Sequence, residues 1–123
     1  MDKWFTLLLM IFLHIVADYN LQGWLASAKQ KEWWQKNAPQ SLYKHDSIWA
    51  LLMHSFSWTF MIMLPIAYIN GFDVDIIFAV VFVINVILHA ITDHSKANEK
   101  FINLIQDQLV HIMQIMITLV IFM

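Results

Sequence analysis

Four stretches of about twenty mostly apolar residues, separated by short polar connections, occupy most of this chain. They run from Trp4 to Leu25, Ser47 to Ile69, Val74 to His94 and Phe101 to Phe122. At 1.5 Å per residue, a helix of about twenty residues crosses the ~30 Å hydrocarbon core of a bilayer. The pattern predicts an all-α polytopic membrane protein, with residues 1–123 forming one domain of four transmembrane helices in an up-down-up-down bundle. Composition agrees, since 60% of residues are hydrophobic and only 13% are charged, the latter about half the usual globular share. Seven lysines, no arginine and a net charge of −2 leave no basic surface for a phosphate backbone, which excludes nucleic acid as a partner. The partner that this composition demands is the lipid bilayer. The absence of cysteine removes disulfides and thiolate metal sites.

The connections carry their own signals. Ser27–Lys44 holds Lys29, Lys31, Glu32, Lys36, the pair Trp33-Trp34 and Pro39, which reads as an amphipathic segment in the membrane interface. Asn70-Gly71-Phe72-Asp73 predicts a tight turn with Asp73 capping the third span, and Asn98 with Glu99 predicts the start of the fourth. Pro65 predicts a kink in the second span. The Trp and Phe residues read as lipid-facing or interfacial anchors, with Trp4 at one face and Trp24 and Trp49 at the other. Ala26-Ser27-Ala28 after an apolar run resembles a signal-peptide cleavage site, but Asp2, Asp18, Asn20 and Gln22 break that pattern, so the first span is expected to stay. Six of the seven lysines fall in the first and third connections, which places those connections in the cytoplasm and both termini outside it.

Within the spans lie His14, Asp18, His54, His89, Asp93, Asp107 and His111. Ionisable residues are costly there, about 2.5–3.5 kcal/mol for an Asp at a helix centre, and their presence points to function. His14/Asp18, His89/Asp93 and Asp107/His111 are each spaced i,i+4, so each pair shares one helix face. Counted from the cytoplasmic ends, the seven fall in one layer centred ~10 Å below that interface. Polar stripes continue the same faces: Asn85, His89, Asp93 and Lys96 on the third span, and Asn103, Asp107, His111, Gln114 and Thr118 on the fourth.

Imidazoles and carboxylates on one level suit a divalent metal, zinc first, with manganese, iron, cobalt or nickel as alternatives. Seven candidate ligands exceed one tetrahedral shell, so the reading is one or two ions with some Asp residues supporting His. Asp18, Asp93 or Asp107 could also take the proton of a water activated by the ion and so serve catalysis. The structural alternative is that i,i+4 His–Asp pairs merely satisfy each other between helices. His45 and His94 lie at the membrane edge and read as solvated interfacial residues.

The set His14-x-x-x-Asp18-Tyr19-x-Leu21-Gln22, Leu51-Leu52-Met53-His54, His89-x-x-x-Asp93-x-x-Lys96 and Asp107-Gln108-x-x-His111 resembles the small bacterial and phage membrane proteins grouped as domain of unknown function 3307. The resemblance covers nearly the whole chain. It implies a four-helix fold in a bacterial inner membrane and adds Gln22, Lys96 and Gln108 to the site, beside Asn85 from the third-span stripe. It brings no activity with it. A looser likeness to bacterial membrane metal-dependent hydrolases, which also place His and Asp near one bilayer face, supports a reaction class by analogy.

The functional expectation is therefore a membrane-embedded metal-dependent hydrolase acting on a lipid or lipid-linked substrate near the cytoplasmic face, with Lys44, Lys96 and Lys100 at the rim to meet an anionic head group. A non-catalytic small membrane protein with a structural His/Asp cluster is the main alternative. Metal or proton transport ranks lower, because the outer halves of the spans lack ionisable groups. An oxidative di-iron enzyme lacks its Glu-x-x-His pattern. Association of several copies into a homo-oligomer is compatible with the sequence.

Overall fold

The computed structural model describes residues 1–123, and the chain is all-helical, with no strand. Helix α1 (Lys3–Ile15) runs into a π-helical turn, Val16–Asn20. Two short helices follow, α2 (Leu25–Ala28) and α3 (Lys31–Asn37), then a 3-10 turn at Ser41–Tyr43. The long helices are α4 (Asp46–Ile69), α5 (Ile76–Ala97) and α6 (Leu104–Phe122). Helices α1, α4, α5 and α6 form a ring in that cyclic order, each packed on its two neighbours, while α2 and α3 lie against α4.

Three helical stretches, Ser41–Ile69, Ile76–Ala97 and Leu104–Phe122, are long and apolar enough to cross a membrane. The expected first span, Trp4–Leu25, is not one regular helix. The α-helical ladder ends at Ile15, the bond from Leu21 N–H to Val16 O closes a wider π turn, and Gly23 takes a left-handed φ of 56°. The polar run Asp18, Asn20 and Gln22 explains the break, because these side chains face protein partners or the bundle end rather than continuing an apolar cylinder.

Two caps also differ from expectation. Asp75, not Asp73, caps α5 by accepting from Phe78 N–H at 2.8 Å. Asn103, not Asn98, caps α6 in a reciprocal capping box with Gln106. Asn98 instead ends α5 and clasps α2–α3, accepting from Lys31 N–H at 2.8 Å and donating to Lys29 O at 3.1 Å. The turn at Asn70–Asp73 forms as expected, with Gly71 and Phe72 both at positive φ.

Burial is inverted relative to a soluble bundle. The outward faces carry Leu8, Phe12, Ile76, Ile105 and Val120, whereas Thr6, Ser55, Thr59, Asn85, Gln114 and Thr118 are buried. Such a surface is matched by lipid. The interior has two halves. Met10, Ile62, Met63, Ile66, Phe78, Ile115 and Leu119 fill one with apolar side chains, and the charged residues fill the other. Between the halves Asn85 donates to Thr118 Oγ1 at 2.9 Å, and Gln114 donates to Asn85 O at 3.2 Å. Interhelical bonds of this kind are worth about 0.6–1.7 kcal/mol each in a bilayer.

Candidate metal centre

All seven ionisable residues singled out in the spans meet at the end of the bundle covered by α2 and α3. His14 ends α1, the π turn presents Asp18, α4 supplies His54, α5 supplies His89 and Asp93, and α6 supplies Asp107 and His111. The five contributed by α4, α5 and α6 are at most 2% exposed.

Their short contacts centre on carboxylate oxygens. His54 Nε2 lies 3.2 Å from Asp18 Oδ1 and 3.3 Å from Asp93 Oδ2. His89 Nε2 lies 3.5 Å from Asp93 Oδ2 and 4.0 Å from Asp18 Oδ1. His111 Nε2 lies 3.3 Å from both Asp93 Oδ1 and Asp107 Oδ1. Yet His54 Nε2, His89 Nε2, Asp18 Oδ1 and Asp107 Oδ1 are buried without a hydrogen-bond partner. These atoms are close together, but most do not point at one another. Three overlapping groups (Asp18/His54/His89, His89/Asp93/His111 and Asp18/Asp107/His111) place their donor atoms within 4.8 Å of one another.

The surrounding bonds fix which ring nitrogen faces inward. Gln114 donates its amide to the Asn85 carbonyl, and a backbone carbonyl only accepts, so Gln114 Oε1 is the atom 3.1 Å from His111 Nδ1. Nδ1 of His111 therefore carries the proton. In the neutral ring Nε2 then presents a lone pair to two carboxylate oxygens, an arrangement that requires a proton or a metal cation between them.

His14 joins the layer in a different role. Trp58 donates its indole N–H to His14 Nδ1 at 2.7 Å, which leaves Nε2–H to donate to Gln108 Oε1 at 2.8 Å. Both ring nitrogens are thus engaged by protein, and His14 stands beside the donor set. Gln108 Nε2 passes the chain on, donating to Asp18 Oδ2 at 3.2 Å and Asp107 Oδ2 at 3.0 Å. That relay holds one oxygen of each carboxylate and turns the other, Oδ1, toward the centre. Gln22 buttresses the π turn by donating to Asp18 O at 3.0 Å, with its own Oε1 buried and unpartnered. Lys96 Nζ reaches within 3.8 Å of Asp107 Oδ2 from a partly exposed position.

Three residues of the centre escaped the sequence reading. Trp58, grouped there with lipid-facing anchors, is fully buried and stacks on His89 with ring centroids 4.3 Å apart. Its position one turn after His54 on the same face was the available signal. Lys29, counted among connection lysines, is buried and donates to Asp93 Oδ2 at 2.8 Å. Gln114, read only as part of a stripe, sets the His111 tautomer. His45 is exposed, and His94 contacts Glu99 at 3.1 Å and Asn98 at 3.1 Å outside the centre.

Comparison of the chain with protein-family models, curated proteins and solved structures gives no match.

Proposed function

We propose that this chain is an integral membrane protein of the bacterial inner membrane that binds divalent metal, zinc in the first place, and uses it to hydrolyse a lipid or lipid-linked ester or phosphoester near the cytoplasmic face. The observation that carries the metal reading is the set of buried, unpartnered donors, His54 Nε2, His89 Nε2, Asp18 Oδ1 and Asp107 Oδ1, separated from neighbouring donors by 3.2–4.0 Å. A regular tetrahedron of donors about 2.0–2.1 Å from an ion has edges of about 3.3–3.4 Å. In this reading α1 and its π turn make a fourth, shorter crossing, the lysine-bearing connections face the cytoplasm, and both termini lie outside.

His54, His89, His111, Asp18, Asp93 and Asp107 hold the metal, while His14, Gln108, Trp58 and Gln114 orient them. The ion supplies Lewis acidity toward the substrate carbonyl or phosphoryl oxygen. Asp107 holds the ion through Oδ1, so Oδ2 is the oxygen that would take a proton from the attacking water as the water oxygen bonds to the acyl carbon or phosphorus, and would return it to the departing alkoxide. Lys96 at the rim meets an anionic head group as a point charge.

The near-complete burial of the donors favours a second reading, a metal or hydrogen-bonded cluster that only staples the helices. Metal content per protomer in detergent, measured by mass spectrometry after zinc loading, tests binding: less than about 0.2 equivalents with no thermal stabilisation overturns it. Release of head group from labelled lipids tests turnover, and silence across lipid classes with metal bound leaves the staple. The cysteine-free chain makes orientation testable: Lys36→Cys should react with an impermeant maleimide only from the cytoplasmic side, and Asp73→Cys only from the other.

A further inference from the structure

The donor atoms of the centre form overlapping groups, yet their short nitrogen–oxygen contacts sort into two sets around the two oxygens of Asp93, and we propose that the site holds two divalent ions bridged by that carboxylate. This rests on the metal-binding reading above and gives it a stoichiometry and a ligand assignment.

The first set is His54 Nε2, His89 Nε2, Asp18 Oδ1 and Asp93 Oδ2, with nitrogen–oxygen separations of 3.2, 3.3, 3.5 and 4.0 Å. These are four protein donors, enough to close a tetrahedral shell. The second set is His111 Nε2, Asp93 Oδ1 and Asp107 Oδ1, with both nitrogen–oxygen separations 3.3 Å. Three donors leave one position open, the pattern of a reactive rather than a purely structural ion. Asp93 turns one oxygen to each set, and two ions so bridged lie about 3.5–4 Å apart. The rings support the same spacing: His89 and His111 stack at 4.1 Å with a 20° interplanar angle, and Nε2 of each lies nearest a different oxygen of Asp93.

Charge gives the order of loading. Three carboxylates are balanced by one divalent ion and the buried Lys29 ammonium; the Lys96 ammonium, 3.8 Å from Asp107 Oδ2, is partly exposed and screened by water, and stays outside this count. That first ion sits in the three-donor set on Asp93 Oδ1; the ion of the four-donor set loads after it and replaces the Lys29 ammonium at Asp93 Oδ2, where Nζ now lies at 2.8 Å. The open position of the second set then faces a site with one surplus positive charge, which suits an anionic ester group.

The test is titration of the detergent-solubilised full chain with Mn²⁺ and Co²⁺, read by metal analysis and, for Mn²⁺, by electron paramagnetic resonance. About two equivalents are expected, with an exchange-coupled Mn²⁺ signal at full loading. Asp107→Asn should retain about one equivalent in the first set and His54→Gln about one in the second, each without coupling, whereas Asp93→Asn should weaken both. Lys29→Gln should tighten the second equivalent by about tenfold. One equivalent in the native chain, or two without coupling, overturns the bridged pair and leaves the metalloprotein reading standing; no binding removes both. The native chain alone decides the central point, so a variant that fails to fold does not protect it.

Discussion

Around Ile62, Ile66, Ile115 and Leu119 the four principal helices meet through interchangeable apolar side chains, whereas one or two turns away they meet through His54, His89, Asp93, Asp107 and His111. Trp58 lies at the boundary and belongs to both, its ring packed with the apolar cluster and its N–H committed to His14. In the apolar half each contact is non-directional, and lipid would solvate the same surface nearly as well. In the polar half His14, Asp93, Gln108 and His111 are fixed by named partners, the remaining donor atoms are buried polar groups, and neither lipid nor a neighbouring methyl can satisfy them. The fold therefore concentrates its specificity at one end of the bundle, the end that also gathers the chemistry.

The sharpest way to break this contrast is Asp93→Ala. It removes the partner of Lys29 and the carboxylate shared by three imidazoles, and should destabilise the protein by about 3–5 kcal/mol, as does stranding one member of a buried ion pair. Denaturation in mixed detergent measures it. Next comes ligand linkage: zinc at about 100 times its dissociation constant should stabilise the native chain by about 2.7 kcal/mol and raise its melting temperature. Asp93→Asn should lose most of that response while Ile62→Val keeps it. Trp58→Phe preserves most of the aromatic packing but strands His14 Nδ1, for an expected loss of about 1–3 kcal/mol. If Trp58→Phe proved neutral, the boundary residue would belong to the apolar half alone.

The same contrast explains what could be read in the chain beforehand. Apolar length and i,i+4 spacing are local properties, so α4, α5, α6 and the shared layer of His and Asp were legible. The division of that layer was not. His14 differs from His89 only in what meets its ring nitrogens, Trp58 and Gln108, and both partners come from other helices. Lys29 looked like a surface lysine because its burial depends on the turn at Gly23 and on the Asn98 clasp at the far end of α5. The caps failed for a related reason. Asp73 and Asp75 are both competent, and likewise Asn98 and Asn103, so tertiary packing chooses where each helix begins.

Within the apolar half, Ile62→Val should cost only about 0.5–1.5 kcal/mol, since one methylene is lost from a site that can relax. The smallest effect belongs to the connection outside the spans, where Lys100 Nζ lies 2.9 Å from Glu32 Oε1 and both side chains are more than half exposed. The neighbouring Lys100 holds the Glu32 carboxyl below its usual range. A depressed carboxyl pKa contributes stability that is present above the unfolded value and lost as pH falls through the folded one, so any contribution is full at neutral pH and fades only in acid. Water and salt screen an exposed pair of this kind. Glu32→Gln should therefore unfold indistinguishably from the native chain at neutral pH, in low and high salt alike, whereas Asn98→Ala should loosen α2–α3 and raise hydrogen exchange at Lys31. A neutral-pH loss for Glu32→Gln that vanishes in acid or high salt would mean that surface charge, rather than the Asn98 clasp and the buried Lys29, holds this segment over the centre.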